Sequence, residues 1–320
     1  MNQGVAFNGT IDFGRNANNP LDAGYAYANA ALGVFNTYSE PSARPRLYGR
    51  SRTLEMFVQD NWRVRSRLTL DYGLRLYWVP PIFDAKNSIA GFGAGLYDPR
   101  KAVKLIQPAL NAQNQRIGLD PVTGTAYPAT LIGAIAPNSG DTANGLVVAG
   151  QSGFPRALMN DRGIQFGPRF GFAYDPFGRG RTAIRGGVGI FYNRLNANVW
   201  LPLVAQPPLV RTPIIYYGQL STLLTSSGLL FPSDVRGLDR EGKVPTITNY
   251  SLSVQQNVGW GVVIDAGYVA SLGRHLFWNR DLNPIPAGAN FDPKNFDPTL
   301  SGGRPLPPAF LRPLIGHNTI

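Results

Sequence analysis

Between Leu54 and Trp78 the chain alternates apolar and polar positions with a period of two. In the second half Leu68, Leu70, Tyr72, Leu74, Leu76 and Trp78 alternate with Thr69, Asp71, Gly73, Arg75 and Tyr77. Side chains of a strand alternate between its faces, so this segment has one apolar and one mostly polar or small face. Residues 54–63 are also strand-like, and a short polar bend at 64–67 separates the two halves. The pair reads as a β-hairpin with arms of about ten residues, the length a tilted strand needs to cross a bilayer.

The same alternation returns further on. The pattern predicts strands over 165–174 (Phe166, Phe170, Phe172, Tyr174 on one face), 181–193 (Ile184, Val188, Ile190, Tyr192), 246–258 (Tyr250, Leu252, Val254) and 262–272 (Ile264, Ala266, Tyr268, Ala270). A further strand is expected over 5–13. A helix is expected within the Ala-rich stretch 21–36, with Asp22 as its cap, and a helical turn or two within 102–110. Long segments rich in Gly, Pro, Asn and Ser fill 79–162, 194–245 and 273–320.

The three bends at 64–67, 175–180 and 258–261 are short, and the connections between hairpins are long. In a meander successive connections fall on opposite edges of the sheet, so one edge collects the short turns and the other the long loops. Outer-membrane barrels show this asymmetry, with short periplasmic turns and long extracellular loops. The expected fold class is therefore all-β, an antiparallel up-and-down meander of long strands forming an open segment of a transmembrane barrel. Trp62, Trp78, Tyr174, Tyr192, Trp260 and Tyr268 fall at or near strand ends and are candidates for an aromatic belt. Asp60 shares parity with Val58 and Trp62 and is the main charged exception on the apolar face. Its nearness to the turn, or a bulge that turns it inward, would accommodate it. A soluble β-rich surface adhesin or carbohydrate-binding module is the alternative, since soluble antiparallel strands alternate too.

Composition adds constraints. Charged residues make up only 15% of the chain, well below the usual quarter, while 37 Gly and 27 Pro suit turns and loops. The absence of cysteine excludes a disulfide framework, a thiol nucleophile and a Cys-ligated metal. The net charge of +11 admits nucleic acid as a partner, but the arginines are scattered singly and form no run, so a basic nucleic-acid binder is a distant alternative. The first residues, MNQGVAFNGT, have no basic segment followed by an apolar one, and no apolar run reaches 18 residues. Any membrane crossing must use strands.

No arrangement of residues points to catalysis. GRGRTAIRGGVG (178–189) resembles a Gly-rich phosphate loop but leads into a strand, with its glycines on the polar parity. His275 and His317 lie apart in loop-like regions, and Asp292 and Asp297 in NFDPKNFDP read as Asp-Pro turns before they read as cation ligands. The expectation is a non-enzyme with no metal and no cofactor. Asp71, Arg75, Arg169, Arg185 and Asp265 occupy the polar parity and are candidate lumen-lining residues. A cross-strand ladder of ion pairs facing a wet interior is the plainer account of the same charges.

Four ordered motifs carry a family resemblance: FVQDNWRVRSRLTLDYGLR (57–75), GPRFGFAYDPFGRGRTAIRGGVGIFYNR (167–194), NYSLSVQQNV (249–258) and IDAGYVASLGRHL (264–276), with LRPLIGHNTI at the end. Together they resemble the barrel of Oar-like TonB-dependent outer-membrane transporters. The resemblance implies a wide barrel, about 22 strands in the broader class, plugged by an N-terminal domain and serving energy-coupled solute uptake. It also implies outer-membrane lipid as a partner and TonB contact through an N-terminal part of the full-length protein. On this reading the chain is an internal stretch of such a transporter, without signal peptide or plug.

Overall fold

A computed structural model describes residues 8–44 and 46–320. Six long strands form one antiparallel sheet: β1 (Leu54–Arg65), β2 (Leu68–Trp78), β3 (Ile164–Tyr174), β4 (Thr182–Tyr192), β5 (Thr246–Gly259) and β6 (Val262–Arg274). Their order in space is their order in sequence, an up-and-down meander. The strands are 11 to 14 residues long, about twice the usual length in soluble sheets. Two bulges, at Val64 on β1 and Val258 on β5, sit next to the short turns.

All other folded parts attach to the opposite edge. Residues before β1 enter from that edge, and 79–163, 193–245 and 275–320 leave from it. These segments fold on one another through small sheets. Thr10–Asp12 and Ile214–Gln219 flank Val34–Ser39; Ala90–Phe92 pairs with Leu146–Val148; Gln107–Leu110, Arg116–Leu119 and Ala126–Pro128 form a third unit. Trp200 is fully buried among Ile89, Val147, Leu158 and Leu203, and its indole N–H donates to the Ala157 carbonyl at 3.2 Å. Smaller clusters centre on Phe92 and Val235, on Val103 and Leu105, and on Ile106 and Ala134.

Several sequence expectations are corrected here. The strand expected over 5–13 is Thr10–Asp12 among the described residues, and residues 5–7 lie outside them; it belongs to the loop-edge sheet and not to the meander. The helix expected over 21–36 spans only Ala26–Leu32. Gly33 ends it, and the β-branched and aromatic VFNTYS that follows pairs with Ile214–Gln219 instead. Tyr25, not Asp22, is the N-cap; the Asp22 carboxylate accepts from the Asn29 amide at 2.7 Å and from Gly24 N. Residues 102–110 hold strand Gln107–Leu110 in place of helical turns, with a 3-10 turn just before them at Pro99–Lys101. The long segment 79–162 is a folded unit despite its lack of period, because its strands are only two to four residues long and leave no periodic trace.

Candidate membrane face and lumen face

Register fixes which side chains share a face. One row across the sheet is Trp62, Leu70, Phe172, Gly186, Leu252, Tyr268, and the next is Asp60, Tyr72, Phe170, Val188, Tyr250, Ala270. Beyond it come Val58, Leu74, Pro168, Ile190, Thr248 and Leu272 on the same parity. Apart from Asp60 and Thr248 these rows are apolar, and the face is uncovered: Val58, Phe166, Leu252 and Tyr268 are each more than half exposed. The four buried clusters, by contrast, draw every member from outside the six strands. A contiguous apolar face left bare while the protein's core forms elsewhere marks a lipid contact.

Asp60 stays on this face, since the β1 bulge lies beyond it at Val64. The Tyr72 hydroxyl, directly opposite, donates to its carboxylate at 2.9 Å, which satisfies the acid in place.

The expected belt aromatics fall into different settings. Trp62 and Tyr174 lie on the apolar parity near the short turns, and Trp260 is fully exposed in the last of those turns. Trp78, at the loop end, donates from its indole to Asp161 at 3.0 Å. Tyr268 sits midway along β6 rather than near its end, stacked at a tilt on Tyr250 with centroids 6.2 Å apart. Tyr192 is at a strand end, but its ring meets Tyr77 of the polar parity edge-on at 5.5 Å and its hydroxyl donates to the Phe166 carbonyl. The β3–β4 ladder stops at Arg169 because Pro168 has no N–H to offer, and Tyr192 fills the separation that follows.

The five polar-parity charges share one face, in rows spaced along the sheet, but they do not form a ladder of ion pairs. Among the described residues Arg75 alone of the five has an ionic partner, Glu55 on β1. Asp71 accepts from the Asn61 amide. Arg169 lies over the Phe191 ring, 4.8 Å from its centroid, and reaches the Tyr77 hydroxyl at 3.4 Å. Arg185 donates to Gln255 at 2.7 Å, and Asp265 lies opposite that same Gln255. Small residues separate them: Gly171, Gly187 and Ser251 share the Asp71 row, and Gly189 is opposite Arg169. The face thus holds charges dispersed among amides, rings and small side chains, suited to a hydrated interior. Glu55, Asn61, Tyr77, Phe191 and Gln255 are partners that sequence reasoning did not single out; extending strict parity along every strand would have listed them.

At the loop edge, a cleft lined by Arg162, Arg194, Lys243 and Asp161 opens where β2, β3, β4 and β5 meet their loops. Deeper in the folded loops, His317 is buried beside Phe92 and Tyr97, with Nε2 2.8 Å from the Asn144 carbonyl. That contact requires the proton on Nε2, and Nδ1 has no partner among the described residues. Burial pushes the ring's pKa below its ordinary 6.5. A neutral buried imidazole contributes its full stability above that ordinary value. The contribution declines as pH falls below it, because the unfolded chain takes up the proton first. The protection factor of the Asn318 amide, whose N–H donates to the Ser233 carbonyl, is expected to fall below about pH 6.5 once the intrinsic slowing of exchange in acid is divided out, and His317→Gln to flatten that response.

Among the described residues no helix is long and apolar enough to cross a membrane, so crossing falls to the strands. Long meandering strands, a bare apolar face, a polar opposite face and a core confined to the loops define a transmembrane β-sheet of the outer-membrane barrel class. The chain belongs to the outer membrane beta barrel domain family, whose model matches residues 1–317, and its place is accordingly the outer membrane. No curated protein and no solved structure matches it.

Proposed function

We propose that the chain contributes barrel wall and extracellular loops to an Oar-like TonB-dependent transporter that takes up a solute with energy supplied through TonB, acting as a conduit and not as an enzyme. The observation that carries this reading is the two-faced sheet, with the four ordered motifs of the Oar-like barrel running through its strands. Asp71, Arg75, Arg169, Arg185 and Asp265 would line the lumen, where weak ties to amides and rings leave them free to exchange partners with a plug or a passing solute. Lipid would cover the opposite face, and neither nucleic acid nor a cofactor has a part. The loops, with the basic cleft at Arg162 and Lys243, would make the first contact with solute.

Cysteines separate the faces. In outer membranes of cells carrying the full-length protein, a water-soluble maleimide is expected to label Arg75→Cys and Arg169→Cys readily and Leu70→Cys poorly. Deleting TonB is expected to slow labelling at 75 and 169 while leaving 70 unchanged. Equal labelling at 70 and 75 would refute the two faces. Labelling at 75 and 169 that ignores TonB would refute energy coupling and leave the barrel standing.

A further inference from the structure

The three short turns gather charged and aromatic groups at one edge of the sheet. Arg63, Arg65, Arg67, Arg179 and Arg181 lie in or beside the first two turns, all of them exposed, and Asp175 is the sole acid among these turn residues. Its carboxylate is engaged by its own turn, accepting from Gly178 N and Gly180 N at 2.8 Å each and from Phe177 N at 3.2 Å. Among the described residues none of the five arginines forms an ion pair.

Backbone geometry gathers these cations. The Val64 bulge shifts the register so that Arg65 stands opposite Leu68, on the apolar parity and in the row that contains Tyr174. Without the bulge a residue two beyond Arg63 would keep to the polar face. Arg67 lies across Gly178 of the second turn, where φ is +68° and a Cβ would collide with the guanidinium. The Arg67 carbonyl also accepts from Asp175 N at 2.8 Å, so the two turns are docked side by side.

The third turn is apolar at its tip. Trp260 and Gly261 have φ of +50° and +75°, the arrangement of a two-residue hairpin turn that favours Asn and Gly. A tryptophan at the first of these positions bears backbone strain, and the residue is 96% exposed, so packing within the described residues does little to offset it. Phe177 at the tip of the second turn is 64% exposed. Aromatic rings beside guanidinium groups at a strand end match the boundary between acyl chains and phosphates: the ring enters the boundary and the planar fork takes phosphate oxygens two at a time.

We propose that the turn edge is a docking rim for anionic phospholipid headgroups, with Arg65, Arg67, Arg179 and Arg181 binding lipid phosphate and Trp260 and Phe177 anchoring beside it. The rim rests on the membrane reading of the sheet, and it adds a lipid class and a set of residues to that reading.

The test is co-sedimentation of the full chain, diluted from detergent, with vesicles of phosphatidylcholine alone or mixed equally with phosphatidylglycerol, at low and high salt. Each arginine held at an anionic surface strengthens partitioning by roughly fivefold. Phosphatidylglycerol is therefore expected to raise low-salt partitioning at least about tenfold over phosphatidylcholine, with most of the gain lost in high salt. R65Q/R67Q/R179Q/R181Q is expected to lose most of that gain. The charge-matched R15Q/R44Q/R280Q/R304Q, whose sites are exposed and lie off the turn edge, is expected to keep it. Equal loss in both variants would reduce the effect to net charge and overturn the rim, as would equal partitioning of the parent chain into both vesicle types. No partitioning into either would overturn the membrane reading itself.

Discussion

Leu252→Arg is expected to destabilise the membrane-embedded sheet by about 2–4 kcal/mol, while Ser251→Arg, one residue away, leaves it near the parent value. Leu252 lies midway along β5 on the apolar parity, half exposed, between Gly186 on β4 and Tyr268 on β6. A guanidinium there has no partner and no water at the bilayer centre. Ser251 faces the other way, between Gly187 and Val269, with Gly171 and Asp71 further along the same row. Its side of the sheet has room for a long side chain among small residues, and the guanidinium stays in the hydrated interior. Urea titration of the chain refolded in bilayers, followed by the heat-dependent shift of its gel band, measures both. Equal losses in the two variants would mean that both faces meet the same solvent, which is what a soluble sheet requires.

That comparison depends on parity, and parity is what the sequence discloses best. Bounds of the six long strands agree with the alternation to within two residues, because one buried or lipid-facing parity repeated over eleven or more residues admits no other register. The short turns were equally readable, from Asp175-Pro176-Phe177-Gly178 and from the Gly-Trp-Gly bend. The loop-edge structure was not. Its strands are two to six residues long and join partners far apart in sequence, as when Val34–Ser39 pairs with Ile214–Gln219, and no local pattern encodes such pairing. Thr10–Asp12 alternates like a barrel strand, yet its partner lies in the loop-edge sheet, which alternation cannot reveal. Among the candidate lumen residues, face was legible and partnership was not. The Arg75–Glu55 pair is diagonal across the hairpin, so it depends on rotamer as well as register, and the attachment of Arg169 to Phe191 and Tyr77 depends on where the β3–β4 ladder breaks.

The folded loops have their own weak point at Asp84. Its side chain is fully buried and accepts three backbone N–H groups: Tyr48 at 2.6 Å, Lys86 at 3.0 Å and Ser88 at 2.6 Å. Tyr48 belongs to the segment that enters β1, whereas Lys86 and Ser88 belong to the first long loop, so one carboxylate fastens the loop to the approach of the sheet. Neighbouring contacts converge on the same place. Gly49–Arg50 pairs with Phe83–Asp84, and Arg156 donates to the carbonyls of Asp84 and Ala85 while lying over the Phe83 ring. Asp84→Ala strands three amides in a site closed to water, at about 1–3 kcal/mol for each donor left unpaired, softened by local relaxation to on the order of 4 kcal/mol in all. Asp84→Asn keeps one oxygen and presents its own N–H₂ to amides that also donate, so it is expected to recover about half of the loss. The damage should be confined to the loops. Limited proteolysis is expected to cut 79–163 in Asp84→Ala at temperatures where the parent resists, while the heat-dependent band shift of the sheet is unchanged. If both transitions moved together, the loops and the sheet would form one cooperative unit, and the lipid-held sheet would owe part of its stability to the core above it.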